Sequence, residues 1–274
     1  GINDDLVKGQ FLIEHLKDST EAVKLWALEK VSQWRVGTKS KLPVELGPVL
    51  INLVSDPDRD VRLKTARLLS LMAELNSAQR LLEQLEIEQD DSVRMELLIA
   101  LGGACHYAFL PDSGVKIAPE IRKKTLEWAE RYLFERDSEK AAIGAKVIRR
   151  LLELDGFTPV EVEKYLGLFI RRYAQEDNTA DGALRGELLV AMSGLCGRSV
   201  YKAEAGKLFR PLFEEALGND SDLVREAAVD GLIYIDKPGA IKMLRASSVN
   251  DKSAIIRKKL IELAGEVGVK EDLV

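Results

Sequence analysis

Cysteine, histidine and aromatic side chains are all scarce in this chain, and each scarcity removes a class of chemistry. Two cysteines in 274 residues cannot support a disulfide framework, and no CxxC or HExxH spacing offers a zinc site. The two histidines, His15 and His106, leave little material for acid–base catalysis. His106 adjoins Cys105, but sequence neighbours rarely reach the side-on geometry that a thiol and its base require. No apolar run approaches the roughly eighteen residues that a bilayer span needs, and mean hydropathy is −0.09, so no membrane insertion of this segment is expected. A glycine-rich phosphate loop is also missing: "GGAC" and "GLCG" follow helical patterns rather than strands. No catalytic, cofactor-binding or metal-binding residue is therefore nominated, and no enzyme activity is expected.

Positive charge is not in excess either. The formal net charge of −5, with a pI near 5.4, disfavours a protein built to neutralise phosphates. Unpaired cysteines suit a reducing compartment and so a cytoplasmic location. The chain starts with Gly rather than Met. Polar cover at its ends is modest, from Glu14, His15 and Lys17 and from Lys270, Glu271 and Asp272, so it is expected to continue in a longer protein, as a monomer or part of a larger chain.

What the chain does have is helix-forming composition, 46% hydrophobic and 31% charged with 6% aromatic, and a recurring pattern. In "SDPDRDVRLKTARLLSLM", Asp56 can cap a helix that begins at Pro57, because proline lacks the N–H that would go unpaired there. Taking Arg62 as reference, the residues one before and three, four and seven after are Val61, Thr65, Ala66 and Leu69, one helical face. The same offsets give Val93, Leu97, Leu98 and Leu101 around Arg94, and Val224, Ala228, Val229 and Leu232 around Arg225. Arg185, Arg257 and Lys24 repeat the pattern. References recur at roughly 32 to 40 residues with one double interval, filled by the degenerate "RDSEKAAIGAKVIRRLLEL". Each such helix follows a second amphipathic segment. Pro43, Pro119, Pro159 and Pro238 stand near the starts of four of these, while Pro48 and Pro211 fall inside theirs and are expected to bend them.

With that unit in view the chain resembles the HEAT repeat family. The resemblance implies an all-α, right-handed superhelix of about seven helical hairpins, a single array over 1–274. Approximate repeats are 4–36, 42–75, 76–105, 117–154, 158–197, 201–236 and 237–268. Its most specific element is an acidic or amide residue six before the base: Asp18 with Lys24, Asp56 with Arg62, Glu88 with Arg94, Asn219 with Arg225 and Asp251 with Arg257. In HEAT proteins such pairs form a hydrogen-bonded ladder between repeats. Thr179 before Arg185 departs from the pattern, and so does the unit near Asp137, which lacks the Arg.

Within that architecture Cys105 and Cys196 take equivalent positions and are expected to be unpaired packing residues. Layers of helices about 8–10 Å apart exceed disulfide reach. The longest irregular segment, "GGACHYAFLPDSGVKIAP", is expected to form a loop. The resemblance places the second helices on the concave side. Positions pointing there outside the apolar stripe are Trp26, Glu29, Lys64, Arg67, Glu96, Ile99, Glu187, Val190, Asp230, Tyr234, Lys259 and Glu262. Mixed charge with isolated apolar and aromatic residues suits a non-enzymatic scaffold for another protein or an extended peptide. The alternative is a nucleic-acid-binding protein like the HEAT-like DNA glycosylases. It would use the basic clusters Arg122-Lys123-Lys124, Arg149-Arg150, Arg171-Arg172 and Arg257-Lys258-Lys259, but Trp26, Trp34 and Trp128 show no convergence with them. An accessory module like the HEAT-like repeats of bilin lyases would need a ligand pocket that the sequence does not reveal.

Overall fold

The computed structural model describes residues 2–37, 42–73, 77–175 and 183–267, and among these every regular element longer than a turn is helical. The helices are α1 (Ile2–Leu16), α2 (Glu21–Gly37), α3 (Leu46–Leu53), α4 (Arg59–Ser70), α5 (Ala78–Ile87), α6 (Asp91–Ala108), α7 (Pro119–Leu133), α8 (Ser138–Leu151), α9 (Pro159–Gln175), α10 (Ala183–Arg198), α11 (Lys202–Ala216), α12 (Asp222–Ile235), α13 (Lys237–Asn250) and α14 (Ala254–Val267). The chain divides into two compact units, Gly1–Ala129 and Glu130–Val274. In the first, α2, α4 and α6 pack side by side and α1, α3 and α5 cover them. In the second, α8, α10 and α12 form the corresponding layer, covered by α9, α11 and α13, with α14 against α12 and α13.

The periodic faces make these layers. Val61, Thr65, Ala66 and Leu69, like Val93, Leu97, Leu98 and Leu101, have no exposed surface, and Leu184, Leu188, Leu189 and Met192 are buried in α10. Each such side chain contributes roughly 1.5–3 kcal/mol when removed from water, so stacking between hairpins is the main source of stability. Ile261, expected on the buried face of α14, is instead exposed. Val23 in the first hairpin is half-buried.

The ladder is present, with a division of labour the spacing alone did not reveal. Arg62 and Arg225 each bond the backbone of the residue six before them and give their side-chain ion pair to the carboxylate of the following hairpin. Arg62 Nη1 donates to the carbonyl of Asp56, while its Nε and Nη2 donate to the two Glu88 oxygens at 2.8 and 3.1 Å. Arg225 repeats this with the Asn219 carbonyl and with both Asp251 oxygens, at 3.1 Å each. Lys24 Nζ meets Asp56 at 2.6 Å. Arg94 and Arg257 bond the carbonyls of Glu88 and Asp251. Burial works to raise the Glu88 pKa, but hydrogen bonds from Arg62, the Asp90 amide and Gln84 outweigh it and hold the carboxyl below its usual range.

Several local expectations are corrected. The cap of α4 is Asp58, which accepts from the Val61 amide at 2.8 Å. Asp56 instead folds the turn before it, accepting from the Asp58 amide with one oxygen and from Lys24 with the other. Two carboxylates flank Pro57, and the one with the ladder task is withdrawn from capping. Pro48 stands at the third position of α3, in the first turn, where a missing N–H breaks no helical bond and forces no bend. Pro211 lies within α11 as expected. Residues 102–108 continue α6 rather than forming loop, because Gly102, Gly103, Ala104 and Cys105 are buried against neighbouring helices. Thr179, Lys270, Glu271 and Asp272 lie outside the described residues.

Candidate protein-binding face

In the first unit the second-helix layer brings four of the nominated residues into two bridges between adjacent hairpins. Glu29 of α2 and Lys64 of α4 approach to 2.6 Å, and Arg67 of α4 and Glu96 of α6 to 3.0 Å. The position five after the reference on one helix thus meets the position two after the reference on the next. Hydrogen bonding from Lys64, then its charge, holds the Glu29 carboxyl below the usual range. Between α2 and α4 the layer opens into a cavity of about 430 Å³. Glu29, Lys64, Arg67 and Asp60 line it together with Leu25, Leu28, Leu63, Leu68 and Leu71. Leu71 is 57% exposed at its rim. A leucine floor with charges of both signs at its edge can take an apolar side chain while fixing the register of a polar backbone.

Trp26 is not part of that cavity. Its ring joins Phe11 and His15 of α1, with centroids 6.1 and 5.5 Å away, in a cluster where Phe11 is 48% and Trp26 43% exposed. His15, whose Nδ1 lies 2.8 Å from the Phe11 carbonyl, is a member of this cluster. Ile99 of α6 is half-buried.

In the second unit Asp230 of α12 pairs closely with Lys259 of α14, which also lies 3.7 Å from Glu226. Glu262 stands 3.7 Å from Lys258 on its own helix. Glu187 and Val190 of α10 are exposed. Tyr234 is 56% exposed and its ring lies against Gly197 of α10, so close that a Cβ there would come within 2.9 Å of it. The residues missing from the nomination are the leucines lining the cavity in the first unit. Leu71, nine after the reference, is the one that the offsets place on this face; Leu25 and Leu63 become visible once α2 and α4 are set side by side.

The basic clusters are largely engaged within the fold. The Arg122 guanidinium stacks on Phe109, Lys123 and Lys124 pair with Glu120 and Glu86, and Arg149 pairs with Glu153. Arg171 stacks on Phe134, and buried Arg172 donates to the Leu133 and Glu135 carbonyls. Cys105 and Cys196 are buried free thiols. Cys105 Sγ contacts Thr125 Oγ1 at 3.5 Å, and burial pushes the two thiols up to about 11 and about 12, far from a nucleophile's range. Among the described residues no group of three or more His, Cys, Asp or Glu could hold a metal ion, and no helix is long and apolar enough to cross a membrane.

The helical hairpins packed within each unit define an armadillo/HEAT-type repeat fold, and comparison with solved structures agrees. An engineered protein known from its crystal structure superposes over 93% of this chain and 67% of its own, at 15% identity and a TM-score of 0.56. A designed armadillo repeat protein in complex with the peptide (KR)4 covers 82% of this chain and 98% of its own, at 14% identity and a TM-score of 0.54. More particularly, residues 9–102 match the family model for HEAT repeats. No curated protein matches the chain.

Proposed function

We propose that the chain is a non-enzymatic scaffold that binds a protein or extended peptide on the second-helix face of its repeats. The observation that carries this reading is the cavity between α2 and α4, which Leu25, Leu63 and Leu71 line together with Glu29, Lys64 and Arg67. An apolar pocket with a charged rim is the arrangement of an interface anchor site. The neighbouring Phe11–Trp26 cluster adds exposed aromatic surface of the type that dominates interface energetics. Support also comes from the fold, since the designed armadillo repeat protein sharing it holds a peptide. The basic doublets lie beside carboxylates and rings of the fold itself, which favours a protein partner over nucleic acid.

The test is affinity capture with the full chain and three variants, Trp26→Ala, Arg67→Glu and Tyr234→Ala. A partner bound through this face is weakened at least tenfold by Arg67→Glu, the reversal of one rim charge. Retention of every partner by all three variants would refute the assignment of the face.

A further inference from the structure

One rung of the ladder is open. Where Arg62 and Arg225 each place Nε and Nη2 on a carboxylate of the next hairpin, Arg185 of α10 has Asn219 as its counterpart, the residue six before Arg225. Asn219 Oδ1 is already used, accepting from the Ser221 amide at 2.9 Å, as Asp251 Oδ1 accepts from the Ser253 amide at 2.7 Å. Its other branch is therefore an NH₂, a donor that cannot receive a guanidinium. Arg185 turns its guanidinium onto the Tyr173 ring, 4.4 Å from the centroid. The residue is 8% exposed, and its buried Nε has no hydrogen-bond partner. That atom is the one that Arg62 and Arg225 give to their carboxylates. Arg185 and Asn219 both line a cavity of about 300 Å³, with Tyr173 and Glu215 also on its walls.

We propose that this cavity is a binding site for a small carboxylate, which completes the rung by accepting from Arg185 Nε and from Asn219 Nδ2. Stacking on Tyr173 occupies the face of the guanidinium and leaves its N–H edge for a planar two-oxygen acceptor. Charge selects a monoanion. Among the described residues on the cavity wall Arg185 is the one base, while Glu215 and Asp220 also line it, so a second negative charge on the ligand is opposed and a phosphate dianion is disfavoured relative to a carboxylate monoanion. The carboxylate can arrive as a free small acid or as the side chain of an acidic peptide.

The test follows the Arg185 Nε–H and Asn219 side-chain amide resonances of the full chain during titration at constant ionic strength. The probes are sodium acetate, an Asp-containing tripeptide, sodium phosphate and sodium chloride. Acetate is expected to shift both resonances saturably, and chloride is not. A tripeptide that saturates at lower concentration than acetate identifies a peptide source, and the reverse order a free acid. Asn219→Asp supplies the carboxylate internally, as in the other rungs. It should abolish the acetate response and raise the melting temperature by several degrees, about 2–4 °C for each factor of five or so in stability. The proposal is overturned if acetate does no more than chloride, if phosphate binds in preference, or if Asn219→Asp leaves the acetate response intact.

Discussion

Glu88→Gln is the sharpest perturbation of the ladder that holds the first unit together. The Glu88 side chain is 2% exposed and that of Arg62 17%. Its Oε1 accepts from the Gln89 and Asp90 amides and from Arg62 Nη2, and its Oε2 accepts from Arg62 Nε and Gln84. The amide keeps the volume and can keep the backbone bonds, but it turns an NH₂ toward Arg62 Nε, setting donor against donor. Removing one partner of a fully buried pair costs about 3–5 kcal/mol. Arg62 keeps two backbone acceptors and some solvent, so the expected loss is about 2 kcal/mol, close to that of one hydrogen bond to a charged group. Urea unfolding followed by circular dichroism measures it, and a double-mutant cycle with Arg62→Met isolates the pair from the backbone contacts. The pH dependence gives a second reading. Glu88 titrates lower in the folded chain than in the unfolded one, so its contribution is complete above the unfolded value of about 4.3. It is lost as pH falls through the folded value, and the glutamine variant lacks that portion of the acid limb. A coupling below about 0.5 kcal/mol, the level of an exposed pair, would refute the reasoning.

Two glycines should respond in opposite directions to alanine. A Cβ at Gly231 of α12 would run into the ring of fully buried Phe213, so Gly231→Ala should destabilise the chain by about 1–3 kcal/mol in thermal unfolding. Gly167 of α9 has nothing within 4 Å of an added Cβ, and Gly167→Ala should stabilise by about 0.5–1 kcal/mol through helix propensity. The thiols of Cys105 and Cys196, buried and shifted to about 11 and about 12, should be inert to a disulfide-exchange reagent at pH 8 and react with two equivalents in denaturant. Rapid native labelling would contradict the packing described for either one.

How much of this was legible in the sequence depends on whether an interaction runs along one helix or between two. The buried face of each second helix was readable, because burial repeats with the helical period: Val93, Leu97, Leu98 and Leu101 are all fully enclosed. The i−6 spacing of the ladder was readable too, but its meaning was half hidden. Spacing finds the carbonyl of Asp56 that Arg62 bonds, whereas the carboxylate it pairs with, Glu88, is fixed by how one hairpin stacks on the next. Asp56 and Asp58 could not be ranked as caps from composition, since both flank Pro57 and only the approach of Lys24 decides between them. Mixed charge on the second-helix face was also visible. Its pairing of Glu29 with Lys64 and of Arg67 with Glu96, and the leucine-floored cavity beside the first pair, needed adjacent helices in place.

The most direct measurement of the central claim, that the second-helix face receives a partner, is position-specific photocrosslinking in the full chain. A photoreactive residue would stand either at Leu71, at the rim of the α2–α4 cavity, or at Gln79, exposed on α5 of the covering layer. The account predicts a discrete crosslinked species from position 71 that disappears with Arg67→Glu, and none from position 79. Crosslinking from position 79 alone, or from position 71 undiminished by Arg67→Glu, would contradict it.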